Sequence, residues 1–318
     1  MSATTARRSG FTVFGLLSLL VLARSLQLHF ALQKDGDVQV QQAGGALPRA
    51  ALGGAPPAFA QHENAPVFPP PPAATRLAPG AGAKRAVVSL MMPAIGKNES
   101  MFTNCLLFMI ASLKATGWPH DVMVLATHDA RSEDVERVRA FGVGITRVTR
   151  IAALRSTDPS MLSMFTKLHA WNLTQYDQIA YYDSDHVFLR DPSPAFDECG
   201  ASSFCATGDT GASNFYRRPD ITEASYFNAG FMLLRPNVTV MQFLLDHRHL
   251  GEGTDFVDQD MLNAVFAGTW KRLDERYNRM HTYTRGIPDD TVAVHEKYWE
   301  LQKFYRLRLN FTAGRRPT

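Results

Sequence analysis

The chain has 318 residues, 45% of them hydrophobic and 20% charged, with 33 Lys+Arg against 30 Asp+Glu and a net charge of +3. That balance excludes intrinsic disorder over the whole length, and three cysteines are too few for a disulfide-stapled miniprotein. It also argues against nucleic-acid binding, which needs a larger and more concentrated basic excess. The excess sits in residues 1–83, which hold six basic residues (Arg7, Arg8, Arg24, Lys34, Arg49, Arg76) and three acidic ones (Asp35, Asp37, Glu63).

After a basic tail at residues 1–10, Phe11–Ala23 is a run free of charge, extendable to Leu32. Thirteen residues suit the core of a signal peptide, whereas Phe11–Leu32 approaches the roughly 20 residues that span a membrane. The arginines before it would keep that end cytoplasmic. The expected reading is an uncleaved signal anchor at 11–32, with a cleaved signal and a secreted product as the alternative. Residues 33–84 contain 13 Ala, 9 Pro and 7 Gly, a composition that cannot bury enough apolar area to offset ordering entropy, so a disordered stem is expected there. Anchor, stem and a globular domain at 85–318 together predict a Golgi or ER membrane protein with a lumenal catalytic domain. Sequons at Asn98, Asn172, Asn237 and Asn310 agree with that side of the membrane. Cys105 lies on the apolar face of a helical pattern, where a buried thiol is expected. The spacing of Cys199 and Cys205 matches no zinc site and leaves their pairing open.

From Arg85 the hydrophobic period alternates between two and 3.6. It predicts a strand at Ala86–Met91, a helix at Met101–Lys114, a strand at Asp121–Ala126, and a helix from a capping Ser132 to Phe141 with Gly142 after it. A strand at Ile145–Val148, a helix at Ser160–Leu173 and a strand at Gln178–Tyr182 come next. This order implies an α/β fold, a single Rossmann-like domain with a mostly parallel central sheet. Ligands in such sheets bind beyond the carboxyl ends of the strands.

Directly after Tyr182 the chain reads Asp183-Ser184-Asp185. In an extended segment residues i and i+2 project the same way, so both carboxylates could reach one hard cation, or one could take the cation and the other a sugar hydroxyl. Mg²⁺ or Mn²⁺ suits such oxygen ligands, and an added histidine favours Mn²⁺. An isolated D-x-D is more often a solvated turn; its place after a buried strand favours a site.

The surroundings carry a resemblance. Phe165-Thr166-Lys167-Leu168, Trp171-Asn172-Leu173 and Tyr176 to Asp185 are similar to the F-T-K-L…W-x-L…Y-x-D-x-D signature of the glycogenin-like retaining glycosyltransferases, family 8. Tyr226-Phe227-Asn228-Ala229-Gly230 resembles that family's Y-F-N-[SA]-G, Asp255 to Asn263 its D-x-x-D-Q-x-x-L-N, and Tyr277-Asn278 its Y-N. Ser112-Leu113-Lys114 with Thr116-Gly117, and His120-Asp121, also fit, so the resemblance covers about 84 to 300 in the family's order.

The resemblance implies a GT-A type nucleotide-diphospho-sugar transferase domain that moves a hexosyl group from a UDP-sugar to a glycan, glycoprotein or glycolipid, with retention and with Mn²⁺ or Mg²⁺. It implies Asp183, Asp185 and His295 as metal ligands, and Lys167, Asp183, Ser184, Asn228, Gly230 and Lys297 as donor-binding residues. It places Asp255, Asp258 and Gln259 beside the anomeric carbon as catalytic candidates. Each has a plainer explanation in a surface histidine, a solvated lysine, a glycine at a strand bulge, or first-turn acids that offset a helix dipole. One departure stands out. Where the family runs H-x-x-G-x-x-K-P-W, this chain has His295-Glu296-Lys297-Tyr298-Trp299, with no Gly or Pro, the Lys two residues after the His instead of six, and an acidic Glu296 beside it. Two other readings are a UDP-sugar hydrolase or nucleotidyltransferase, which would need a Gly-rich basic loop after the first strand, and a catalytically silent carbohydrate-binding relative.

Overall fold

A computed structural model describes residues 82–93, 99–156, 161–209, 224–280 and 286–296. The expected tail, anchor and nearly all of the stem, the sequons at Asn98 and Asn310, and Lys297 lie outside the described residues. Among the described residues no helix is long and apolar enough to cross a membrane.

Strand β1 (Arg85–Met91) is buried almost throughout, as its unbroken apolar run requires for a strand covered on both faces. Helix α1 (Glu99–Ala115) comes next and ends at Gly117, whose φ of 85° only glycine adopts readily. Strand β2 (Asp121–Thr127), helix α2 (Ser132–Arg139) and strand β3 (Gly144–Val148) complete the first half. The expected cap shifts by one residue: Arg131 occupies the N-cap with no side-chain cap bond, and Ser132 is the first helical residue. The acids Glu133 and Asp134 do lie in the first turn, where they complement the dipole. The helix also stops at Arg139, short of Phe141.

The expected helix at Ser160–Leu173 is instead a 3₁₀ segment, Met164–Asn172. The reason is in its apolar spacing. Phe165, Leu168 and Trp171 are all buried in one core cluster, and a three-residue period lines them up in a 3₁₀ turn, where i and i+3 eclipse. The hydroxyl of Thr166 fastens the segment by accepting the Ile151 N–H at 3.0 Å. Strand β4 (Gln178–Tyr182) succeeds it, fully buried.

Among the described residues seven strands form one sheet in the order β3-β2-β1-β4-β7-β6-β8, with β6 (Phe204–Gly208), β7 (Phe227–Leu234) and β8 (Lys271–Leu273). The pairs β2/β3, β1/β2, β1/β4 and β6/β8 are parallel, and β7 runs antiparallel to both β4 and β6. Alternate residues feed two cores. Ile179 and Tyr181 of β4 join one cluster, Ala180 and Tyr182 the other. Helix α3 (Pro194–Cys199) lies on the second side, and α4 (Val238–Asp246) and α5 (Val257–Val265) on the first. A separate ribbon pairs β5 (His186–Phe188) with β9 (Ala293–His295), and its register sets His186 opposite His295.

Strand β7 changes facing partway. Phe227 and Ala229 join the same core as Met232 and Leu234, while Phe231 and Leu233 face the other. An irregular register against β6 accompanies the switch. Such a bulge re-aims side chains near its own position. Here it carries Asn228 and Gly230 to the carboxyl end of β4, where the Asp183 N–H donates to the Gly230 carbonyl at 2.8 Å.

Cys199 and Cys205 form a disulfide between the end of α3 and strand β6. Cys105 is unpaired and half-buried rather than fully buried as expected.

Candidate active site

The D-S-D segment is a tight turn, not the extended stretch expected from the sequence. The chain leaves β4, turns at Ser184 and Asp185, and re-enters a strand at His186, whose N–H donates to the Asp183 carbonyl at 3.3 Å. The turn sends the two carboxylates to different partners.

Asp183 faces Lys167. Its Oδ1 lies 3.2 Å from Nζ and also accepts the Tyr181 hydroxyl at 3.0 Å. Lys167 is 3% exposed and is held on its other side by Asp258, 6% exposed, at 2.8 Å. It also donates to the Ala229 carbonyl at 3.2 Å and sits 5.3 Å from the centre of the Tyr181 ring. A buried ammonium needs such company, because desolvation alone would discharge it. Burial pulls the Lys167 pKa down, but Asp183 and Asp258 more than reverse that and hold it above the ordinary lysine value. Burial pushes Asp258 up, with Lys167 opposing. Lys167 is therefore neither a solvated helix lysine nor an open phosphate contact; it ties the D-S-D turn to the start of α5.

Asp185 faces His295, with Oδ1 3.2 Å from Nε2. Burial alone would raise the Asp185 carboxyl, yet His295 beside it holds it below the usual carboxylate range. Burial lowers His295, and Asp185 outweighs it so that the ring titrates above the ordinary histidine value. Gly230 makes room for this ring. A Cβ there would collide with Cε1 of His295 and come within 2.9 Å of its Nδ1 and 2.8 Å of Asn228 Oδ1. The glycine at a strand irregularity is thus explained by the His295 ring that packs against it.

Asn228 is committed on both ends of its amide. Its oxygen accepts the Gly230 N–H at 2.9 Å and the Asn278 Nδ2 at 3.2 Å, and its nitrogen donates to Asp209 at 3.2 Å. Gln259 is likewise engaged: its oxygen accepts the Ala229 N–H and its nitrogen donates to Asp209, both at 2.9 Å. These contacts make Gln259 a brace between α5 and β7. Asp255 is exposed in the turn before α5, away from the burial of Asp258 and Gln259. Ser184 is half-buried within the D-S-D turn.

The sequence reading passed over three residues that the fold brings in. His186 is fully buried and stacks on His295, ring centres 4.1 Å apart and planes at 20°. Burial pushes its pKa down to about 4. Its signal was its place next to the D-S-D motif, but nothing local shows that β5 will pair with β9. Asp209, buried at the end of β6, accepts from Asn228 and Gln259; a lone aspartate after a short strand carries no pattern. Asn278, noted only within Tyr-Asn, has its amide oxygen 3.0 Å from His295 Nδ1 and 2.9 Å from His186 Nε2.

The donor set fits a divalent cation. Asp185, His186 and His295 each have one ligand atom within 4.8 Å of the others, but both ring nitrogens of His186 already lie 2.9 Å from an oxygen, that of the Asp183 carbonyl and that of the Asn278 amide, which leaves Asp185 and His295 as the open pair. His295 donating Nδ1–H to Asn278 leaves the Nε2 lone pair on the Asp185 side, the arrangement of a metal-binding histidine oriented by an amide behind it. Asp183 is 29% exposed and lies one turn away.

The chain is similar to known proteins in sequence and in fold. Relatives include glycogenin of Neurospora crassa, 29% identical over 233 residues that make up 68% of this chain and 30% of that protein. UDP-glucuronate:xylan alpha-glucuronosyltransferase 1 of Arabidopsis thaliana is 26% identical over 180 residues, 56% of this chain and 25% of that one. The matched part thus spans less than a third of either relative. Among solved structures, the galactosyltransferase LgtC in complex with donor and acceptor sugar analogs superposes with a TM-score of 0.52 at 16% identity, covering 66% of this chain and 86% of that one. That likeness bears on the fold, which is of the GT-A type. The sequence pattern of glycosyl transferase family 8 matches residues 108–303, more than half of the chain and a span that includes both the D-S-D turn and His295. This chain belongs to glycosyl transferase family 8.

Proposed function

We propose that the chain is a metal-dependent, retaining hexosyltransferase that takes its sugar from a UDP-sugar and passes it to a glycan, glycoprotein or glycolipid in the secretory pathway. The observation that carries the metal-dependent reading is the pairing of Asp185 with His295 at 3.2 Å, at the carboxyl end of β4. Charge supports it. Asp183 and Asp258 already share the charge of the one lysine between them, Lys167, while Asp185 stands against His295. An anionic diphosphate meets net negative charge there unless a cation intervenes.

A divalent ion, when bound, supplies Lewis-acid stabilisation of the charge on the departing diphosphate. Asp185 and His295 would hold it, with Asp183 at hand. Lys167 and the Tyr181 hydroxyl keep the Asp183 carboxylate oriented. The closely approaching backbone at Ala229 and Gly230, fixed by Gln259 and Asn228, forms the wall on which a sugar would rest. The resemblance supports retention and a role for Asp258, which is buried and paired with Lys167, in steadying positive charge at the anomeric carbon. The anchor and stem expected from the sequence support the secretory setting, as do the sequons and the Cys199–Cys205 disulfide, since such bonds persist in oxidising compartments.

Release of UDP and the appearance of glycosylated product should be measured with a panel of UDP-sugars, with and without Mn²⁺, and the anomeric configuration of the product read by NMR. Asp185→Ala should abolish Mn²⁺-dependent turnover with the fold retained. Full activity in that variant, or equal activity in chelator, would sink the reading.

A further inference from the structure

We propose that His186 is a positioning residue for His295, fixing the ligating ring by stacking against its face and by sharing with it the amide oxygen of Asn278. This rests on the reading that Asp185 and His295 hold a divalent ion.

Strand register brings the two rings together. His186 and His295 are directly paired on β5 and β9, so their side chains leave the same face of the ribbon. The rings stack at 4.1 Å. Beyond the stack, the orientation of Asn278 is set by its neighbours. Asn228 Oδ1 must be an acceptor because the Gly230 N–H donates to it. The group of Asn278 that meets it at 3.2 Å must then be the NH₂, which also donates to Thr207 Oγ1 at 2.9 Å. The Asn278 oxygen is thereby turned toward both imidazoles, and its two lone pairs can accept Nδ1–H of His295 and, in the tautomer that carries the single proton of the neutral ring on Nε2, that of His186. His295 contributes Nδ1–H and is left with Nε2 as its ligating nitrogen.

His295 is thus gripped from several sides: His186 on the face, Asn278 at Nδ1, and the bare Cα of Gly230 at Cε1. His186 itself is poorly placed to ligate. Its Nδ1 lies 2.9 Å from the Asp183 carbonyl and its Nε2 2.9 Å from the Asn278 oxygen, and the residue is fully buried. A polar ring with no access to solvent, in a strand whose other members are Val187 and Phe188, acts through what it touches.

The test is a double-mutant cycle read by binding rather than turnover. Mn²⁺ is titrated calorimetrically into the full chain saturated with UDP, for wild type, His186→Ala, His295→Ala and the double variant, with near-UV circular dichroism to confirm folding. His186→Ala should weaken Mn²⁺ binding roughly 10- to 100-fold, the range for residues that orient a metal ligand. His186→Phe, which keeps a ring for stacking and loses the donor, should fall between Ala and wild type. In the His295→Ala background neither change should weaken Mn²⁺ further by more than about twofold, because the ring they act through is gone. The same loss in both backgrounds would make His186 a ligand or a general structural residue and overturn the proposal. Unchanged affinity in both His186 variants would overturn it too. If His186→Ala does not fold, the Phe variant decides the cycle by the same criterion. Wild type that does not bind Mn²⁺ brings down the metal reading and this inference together; wild type that binds it with an additive cycle brings down the inference alone.

Discussion

His295 presents Nε2 to Asp185 at 3.2 Å while its Nδ1 meets the Asn278 amide oxygen at 3.0 Å. One imidazole, supplied by the last described strand, thereby meets the D-S-D turn more than 100 residues earlier in the chain. How that ring and its neighbours are held determines how substitutions around it should behave.

Gly230→Ala should act on the metal before it acts on the fold. The added Cβ meets the His295 ring and Asn228 Oδ1, so the ring must move out of line with Asp185. A loss of Mn²⁺ affinity of at least about tenfold is expected, with a far smaller change in melting temperature than a core deletion gives. Calorimetric titration beside a thermal melt checks this, and unaltered Mn²⁺ affinity would contradict the placement of His295.

Lys167→Met should be costly to stability. It leaves Asp183 and Asp258 without their shared cation, and breaking a buried ion pair from one side costs about 3–5 kcal/mol. Adding Asp258→Asn should restore part of the loss, since the remaining buried charge is then removed. Urea denaturation of the two variants measures both effects; a single variant as stable as wild type would show that Lys167 is not buried among carboxylates.

Acid should expose the buried His186. Its pKa is pushed from 6.5 to about 4 in the folded chain, so between those values the unfolded chain takes up a proton that the folded one refuses. Stability from this group is full above pH 6.5 and falls as pH drops toward 4, by about 3 kcal/mol in all. His295, Asp185 and the Asp183 carbonyl surround it, and His295 titrates with the opposite sign, its pKa being raised. The comparison is therefore the stability of wild type minus that of His186→Phe across pH 7 to 4. A difference that does not change over that range refutes the burial of a neutral His186.

Thiol counting should find one reactive group in the unfolded, unreduced chain, Cys105, and three after reduction. In the folded state Cys105 should react slowly, because burial, with Asp185 adding to it, pushes its pKa up to about 12. The loop closed by Cys199 and Cys205 is short, a separation of 6 residues, so reduction should cost about 2 kcal/mol. Three thiols before reduction would remove the disulfide and its support for an oxidising compartment.

Asn172 sits exposed at the end of the 3₁₀ segment, with Thr174 of its sequon also exposed. Asn237 instead caps α4, its oxygen accepting the Thr239 N–H at 2.8 Å. In a secretory host the chain should carry an N-linked glycan at Asn172, seen as a mobility shift on glycosidase treatment that is smaller by one glycan in Asn172→Gln. No shift from any of the four sequons would count against a lumenal catalytic domain.

Sequence alone reached far into this protein where the determinant is local. Buried strands such as Gln178–Tyr182 declared themselves by unbroken apolar runs, and helix α1 by its period, because each pattern reports the solvent contrast along one short element. The strand–helix alternation was enough to point to the carboxyl end of β4 and the D-S-D segment after it, and the family resemblance pointed to His295. Even the 3₁₀ segment had a readable cause in the three-residue spacing of Phe165, Leu168 and Trp171. Only the tertiary structure decided which polar atoms meet. The D-S-D turn parts the two carboxylates, giving one to Lys167 and the other to His295. Asp209, Asn278 and His186 enter the site through the β7 bulge and the β5–β9 pairing, which join segments far apart in the chain. Hydrogen bonds and ion pairs depend on distance and angle in space, and no period along the chain encodes which distant strand will arrive to supply the partner.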